Sequence, residues 1–194
     1  SYGTAYCPEV EVSTTYRGVA TDLSATESAN SYIVNDVYPV YKFRAVKGNS
    51  SEELSDPFSG SVVWESFGTT ESIKSGDLID NVLYHDGYIY FKLDEVGKEG
   101  NALIAVKDTK GEILWSWHIW FTDFDPEATA QTYPSGAVLM DRNLGALNNS
   151  TDVPSYGLLY QWGRKDPFVG SGDGTNTFAS TYPADAISFV NTSD

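Results

Sequence analysis

Glu112-Ile113-Leu114-Trp115-Ser116-Trp117-His118-Ile119-Trp120-Phe121 is the stretch on which the reading of this chain turns. Ile113, Trp115, Trp117, Ile119 and Phe121 fall on one side of a two-residue period, and Leu114, Ser116, His118 and Trp120 on the other. Such alternation over ten residues predicts a long β-strand, apolar on its first face and mixed on its second. Large aromatics dominate core energetics, so this strand is expected to be central, with Ile113, Trp117 and Phe121 facing the core.

Working outward, Ala102 to Lys107 is a second β-rich run, and Asp108-Thr109-Lys110-Gly111 between the two reads as a turn, with glycine where a positive φ is needed. Asp86-Gly87 divides Leu78–His85 from Tyr88–Leu93 and predicts a second hairpin, with Ile89, Phe91 and Leu93 inward. Further β-runs stand at Ser31–Val34, Val40–Val46 and Ser61–Phe67, separated by Pro39, Gly48-Asn49 and Asp56-Pro57. Short strands between turns predict a mainly β chain whose residues 1–125 form an antiparallel β-sandwich.

Past Phe124 the pattern changes. Asp125-Pro126 opens a linker toward Tyr133, and residues 126–194 are expected to form a second, small α+β region. Its expected parts are a strand at Ala137–Met140, a short helix around Tyr156–Trp162 stopped by Gly163 and Pro167, a glycine-rich loop at Gly170–Gly174, and a helical turn within Pro183–Val190. Roughly sixty residues is small for an independent domain without disulfides or metal, so a longer parent protein is expected to continue beyond Asp194.

Composition narrows the function classes. The 194 residues carry 12 Lys and Arg against 27 Asp and Glu, a formal charge of −15, with acids in excess on both sides of Asp125. Phosphate backbones and anionic lipid surfaces are repelled by such a chain, so nucleic acid is not an expected partner. No run of about 18 apolar residues occurs, and Ser1–Val10 lacks the basic start and apolar stretch of a signal peptide. Cys7 is the lone cysteine, which leaves no internal disulfide, thiolate cluster or redox pair. No period of 20 to 50 residues repeats.

Two motifs point further. Met140-Asp141-Arg142-Asn143-Leu144-Gly145-Ala146, followed by Tyr156-Gly157-Leu158-Leu159-Tyr160-Gln161-Trp162-Gly163-Arg164-Lys165-Asp166-Pro167-Phe168, resembles the Fibrobacter succinogenes major paralogous domain. Upstream, Ala29–Val34, Tyr41–Asn49, Gly100–Lys107 and Trp115–Trp120 look like the module preceding that domain in Bacteroidetes surface and fimbrial-tip-like proteins. The resemblance implies a secreted or surface-displayed protein, located at the outer surface or fimbrium, in which a β-sandwich precedes a partial or small C-type-lectin-like region. It implies a non-enzymatic adhesin or fimbrial-tip-like component, with other surface or pilus subunits and a host or glycan ligand as partners. The alternative is a carbohydrate-binding module of a surface glycan system. The lectin-like fold is shared with formylglycine-generating enzymes, but those depend on active-site cysteines, and Cys7 lies far from that part of the chain.

Chemistry-bearing residues are few. His118 among Trp115, Trp117 and Trp120 has the makings of a sugar contact, but an imidazole on that face more simply satisfies a cross-strand partner. His85 beside the Asp-Gly turn reads as a solvated residue, and two histidines make a histidine-based metal site improbable. No Gly-x-Ser-x-Gly elbow occurs. Of the acid pairs Asp94-Glu95 and Glu52-Glu53, neighbours in a strand point to opposite faces and neighbours in a loop are solvated. Asp141, Arg142 and Asn143 with Arg164, Lys165 and Asp166 form a candidate charge network that pins loops onto the core. Tyr156 and Tyr160, four residues apart, are expected to be buried on one helix face, with Trp162 as a further aromatic and a sugar platform as the functional counter-reading. The ligand-facing residues proposed from sequence are Arg164, Asp166 and Asp173, at the edge made by Arg164–Phe168 and the Gly170–Asn176 loop. The oxygens around Asp173 offer a calcium ion partial ligation but lack the spaced acids and closing glutamate of a helix-loop-helix site, so no cofactor is expected.

Overall fold

A computed structural model of the chain describes residues 20–35, 38–48, 50–66, 78–94 and 98–168. These are mainly β. The strands are β1 (Thr21–Asp22), β2 (Ser31–Val34), β3 (Val40–Arg44), β4 (Ser59–Ser66), β5 (Ile79–His85), β6 (Tyr88–Leu93), β7 (Gly100–Lys107), β8 (Ile113–Phe121), β9 (Gln131–Thr132) and β10 (Val138–Leu139). One four-stranded sheet has the order β1-β3-β6-β5, a second β2-β8-β7-β4, and β9 with β10 makes a separate two-stranded ladder.

A single apolar cluster draws on both large sheets. Tyr41 and Phe43 of β3 and Ile89, Phe91 and Leu93 of β6 meet Ile104 of β7 and Trp117, Ile119 and Phe121 of β8. Trp117 is fully buried, its ring 5.3 Å from that of Phe43, while its indole Nε1 donates to the Val46 carbonyl at 3.1 Å. Phe91 stacks on Tyr41 at 5.6 Å. The inward triad expected of β6 is thus in place, because the Asp86-Gly87 turn sets its register: φ of 49° and 77° at the two turn positions is the twist that favours aspartate followed by glycine. Gly111, at φ 86°, closes the β7–β8 turn by donating to Asp108 at 3.1 Å.

Two features depart from the sequence reading. The expected arrangement was antiparallel throughout, yet β1 pairs with β3 and β2 with β8 in parallel. Alternation reveals which face of a strand is apolar and carries nothing about the direction of its neighbour. A parallel pair needs a crossover, and that between β1 and β3 runs through β2 in the other sheet. The expected helix over Tyr156–Trp162 is also absent; the sole helical turn among the described residues is Val153–Ser155. Gly157 (φ 69°) and Gly163 (φ 76°) take left-handed conformations, and Leu158 donates its amide to the Leu144 carbonyl at 2.9 Å rather than to a preceding turn. Tyr156 and Tyr160 are consequently exposed, and Leu158 is the side chain that packs, on Leu103 and Trp64.

β4 carries a bulge between Val62 and Trp64. The extra residue turns Trp64 to the outside of its sheet and Glu65 to the inside, where the buried carboxylate accepts the Ile79 amide at 2.9 Å and ties the two sheets together along one edge. Asp173, the Gly170–Asn176 loop and the Pro183–Val190 turn lie outside the described residues.

Candidate functional site

The outer face of the β2-β8-β7-β4 sheet is where the two halves of the sequence meet. Period-two geometry places Ser116, His118 and Trp120 on this face of β8, with Asn101, Leu103 and Ala105 of β7 alongside. All three β8 residues are buried although two are polar. Ser116 and His118 find partners there, while the buried Trp120 Nε1 has none among the described residues.

His118 is held from both sides. Ser31 Oγ lies 2.8 Å from Nδ1, and Asn101 Oδ1 lies 2.9 Å from Nε2. Asn101 spends its amide nitrogen on the Gly145 carbonyl at 2.9 Å, so its oxygen faces the imidazole as acceptor. The neutral tautomer with the proton on Nε2 satisfies both contacts, Ser31 then donating to Nδ1. Burial without a counter-charge pushes the His118 pKa down to about 3, so the ring stays uncharged at neutral pH.

Ser116 anchors a second contact. Its hydroxyl lies 2.8 and 2.7 Å from the two carboxylate oxygens of Asp166, while Lys165 Nζ donates to the Ser116 carbonyl at 2.8 Å and to its hydroxyl at 2.7 Å. Lys165 also pairs with the Asp166 carboxylate and sits 4.8 Å from the centre of the Trp115 ring. Burial lowers the Lys165 pKa, and the Asp166 charge opposes that shift. Asp166 is 2% exposed.

Between these contacts runs a glycine-dependent junction. Gly145 (φ 80°) lies so close to the sheet that a Cβ there would fall 2.6 Å from Leu158 Cγ and 2.9 Å from Asn101 Oδ1. At Gly157 a Cβ would meet the Leu144 carbonyl at 2.6 Å. The Leu158–Leu144 backbone bond joins the two motifs quoted from sequence, and Asn143 adds bonds to the Ser155 and Tyr156 carbonyls at 3.3 and 3.4 Å. Each motif keeps its own ion pair: Arg142 Nε bonds Asp141 at 2.9 Å, which lowers the Asp141 pKa, and Lys165 bonds Asp166. Arg164 lies over Phe168 at 4.2 Å and donates to the Asp166 carbonyl at 3.0 Å. Arg164 and Asp166 are thus brought to one corner, with Arg164 partly exposed and Asp166 turned inward.

Around this anchored junction the surface is apolar. Tyr133, Val138, Leu139, Met140, Tyr156, Leu159, Tyr160 and Trp162 are all exposed, and Trp162 is fully so. Sequence reasoning missed Ser31, Asn101 and Ser116 as partners of the junction. Their signal was the interruption of an apolar strand by Ser116 and His118, legible only once a covering segment is known. Among the described residues no three of His, Cys, Asp and Glu stand close enough to hold a metal ion, and no helix is long and apolar enough to cross a membrane. Comparison with known proteins finds no matching family model, no matching curated protein and no matching solved structure.

Proposed function

We propose that the chain is a non-enzymatic cell-surface adhesin or fimbrial-tip-like component, in which the two large sheets act as a β-sandwich that presents a small C-type-lectin-like region. The observation that carries this reading is the concentration of exposed aromatic and aliphatic side chains within residues 133–162, on a segment anchored to the sheet by buried polar contacts. Monomeric proteins seldom leave such surface uncovered, and a rigid mount with an apolar edge suits contact with another protein, a host receptor or a neighbouring surface subunit. The groups with the reactivity for acid–base or nucleophilic work, Ser116, His118 and Asp166, are engaged with one another's neighbourhoods at 3% exposure or less. The resemblance of the two motifs to surface proteins supports an outer-surface location.

The test is adhesion of the folded chain to cells or to candidate partner subunits, with Tyr160→Ala and Trp162→Ala made together. Loss of adhesion at an unchanged melting temperature is expected; undiminished adhesion by the double variant would remove this surface from the mechanism. A carbohydrate-binding module of a surface glycan system is the second reading, favoured by the accessible rings of Tyr156, Tyr160 and Trp162. A reproducible glycan-array hit without any protein partner would select it.

A further inference from the structure

At the tip of the β5–β6 hairpin, away from the junction just described, lies a cavity of about 440 Å³. Arg44, Glu53, Leu54, Tyr84, Asp86 and Tyr88 line it. Its volume is within the usual range for small-ligand sites of roughly 300–1,000 Å³. The rim is fixed by backbone: Ala45 donates to the Gly87 carbonyl at 2.8 Å, Val46 pairs with Glu53 in an antiparallel bridge, and Arg44 stands opposite Tyr88 in the β3–β6 register. Lys42 sits 4.8 Å from the Tyr88 ring centre and steadies that wall.

Two opposite charges share this cavity without meeting. Arg44 and Glu53 are both exposed, and among the described residues neither side chain forms an ion pair or a hydrogen bond. A guanidinium offers a fork of donors and a carboxylate offers only acceptors. A ligand that satisfies both must accept and donate at closely spaced atoms. A simple anion would meet Glu53 and Asp86, and a simple cation would meet Arg44, so charge alone does not fill the site. Adjacent hydroxyls on a sugar ring accept and donate together, and the ring's C–H face packs on tyrosine.

We propose that this cavity is a subsite for a neutral pyranose, with Arg44 donating to one hydroxyl, Glu53 accepting from its neighbour, and Tyr88, on the same sheet face as Arg44, packing on the ring. The assignment rests on the glycan-ligand reading of the chain's surface role and gives that reading a location separate from the 133–162 surface.

The experiment is saturation-transfer NMR on the full chain with glucose, galactose, mannose and N-acetylglucosamine, alongside L-glutamate and inorganic phosphate. At least one neutral sugar should bind, and Arg44→Gln and Glu53→Gln should each weaken it at least tenfold with the melting temperature unchanged. Absence of transfer to every neutral sugar overturns the proposal. So does binding that survives both substitutions, and so does binding of glutamate or phosphate without any sugar. Cell adhesion measured on the same variants separates the two readings: sugar binding at the cavity by a chain that adheres to nothing sinks the surface-module reading and leaves this one standing, and the reverse pattern sinks this one alone.

Discussion

On one face of β8, Trp117, Ile119 and Phe121 meet the opposite sheet through carbon; on the other, Ser116, His118 and Trp120 are buried as fully, with Lys165 and Asp166 bonded to that face and Gly145 bonded to neighbouring β7. The first face is selected chiefly by water exclusion, the Trp117 indole bond to the Val46 carbonyl being the polar contact of these three side chains, and it tolerates neighbours of suitable shape. The second is selective, because each polar atom accepts only a partner of matching donor or acceptor character at a fixed place. One strand thus supplies bulk stability on one side and specifies, on the other, which segment lands there and in what register.

The sharpest way to break this comparison is on the carbon side. Trp117→Ala should cost about 3–5 kcal/mol, the usual range for a large aromatic removed from a core. Urea unfolding checks it, and a cost below about 1 kcal/mol, the centre of the distribution for ordinary substitutions, would mean β8 is not the central strand.

Acid probes the polar side. Unfolded histidine titrates near 6.5 and His118 in the fold near 3, so unfolding takes up a proton between those values. The contribution of His118 is complete above about pH 6.5 and falls as pH drops, by about 2 kcal/mol at pH 5 at about 1.36 kcal/mol per unit. Unfolding curves at pH 7, 6 and 5 should show that loss, and His118→Gln should flatten it. An unchanged slope in the variant would mean His118 is not the group responsible.

Ser116→Ala sharpens the contrast at lower cost. It removes the hydroxyl between Lys165 and Asp166 while leaving their ion pair, and should cost about 1.5 kcal/mol, the low end for hydrogen bonds to charged groups. Hydrogen exchange should rise at residues 158–168 and stay slow in β6 and β7; a uniform rise across the sheets would show that the junction and the core unfold as one. The smallest effect belongs to Trp162→Ala, which should shift stability by less than about 0.5 kcal/mol, as surface substitutions do, while reducing adhesion.

Much of the carbon side was legible in the sequence. Period-two spacing placed Ile89, Phe91, Leu93 and Trp117, and the Asp-Gly pair set one hairpin, since both signals are local. On the polar side the sequence reading gave His118 a cross-strand partner, which Ser31 and Asn101 supply, but not the burial of the face. Ser116 and His118 made that face read as mixed; alternation reports amphipathicity, whereas burial depends on what covers the face, here a segment fifty residues further along. Tyr156 and Tyr160 carry helical spacing, but Gly157 and Gly163 at positive φ and the Leu158–Leu144 bond outweigh it. Arg164 and Asp166, two residues apart, face different ways, which follows from Ser116, distant in sequence.

The parallel seam between β2 and β8 also bears on the order in which the chain acquires structure. Ser31 and its partner His118 are 87 residues apart, so during synthesis Ser31–Val34 wait for their neighbour strand for roughly 4–17 s at ordinary elongation rates. In that interval β3, β5 and β6 can already pair, whereas Tyr32 and Val34 have no strand beside them. The second sheet closes late, and the window before it closes is when this chain is most exposed to misassociation and to proteases.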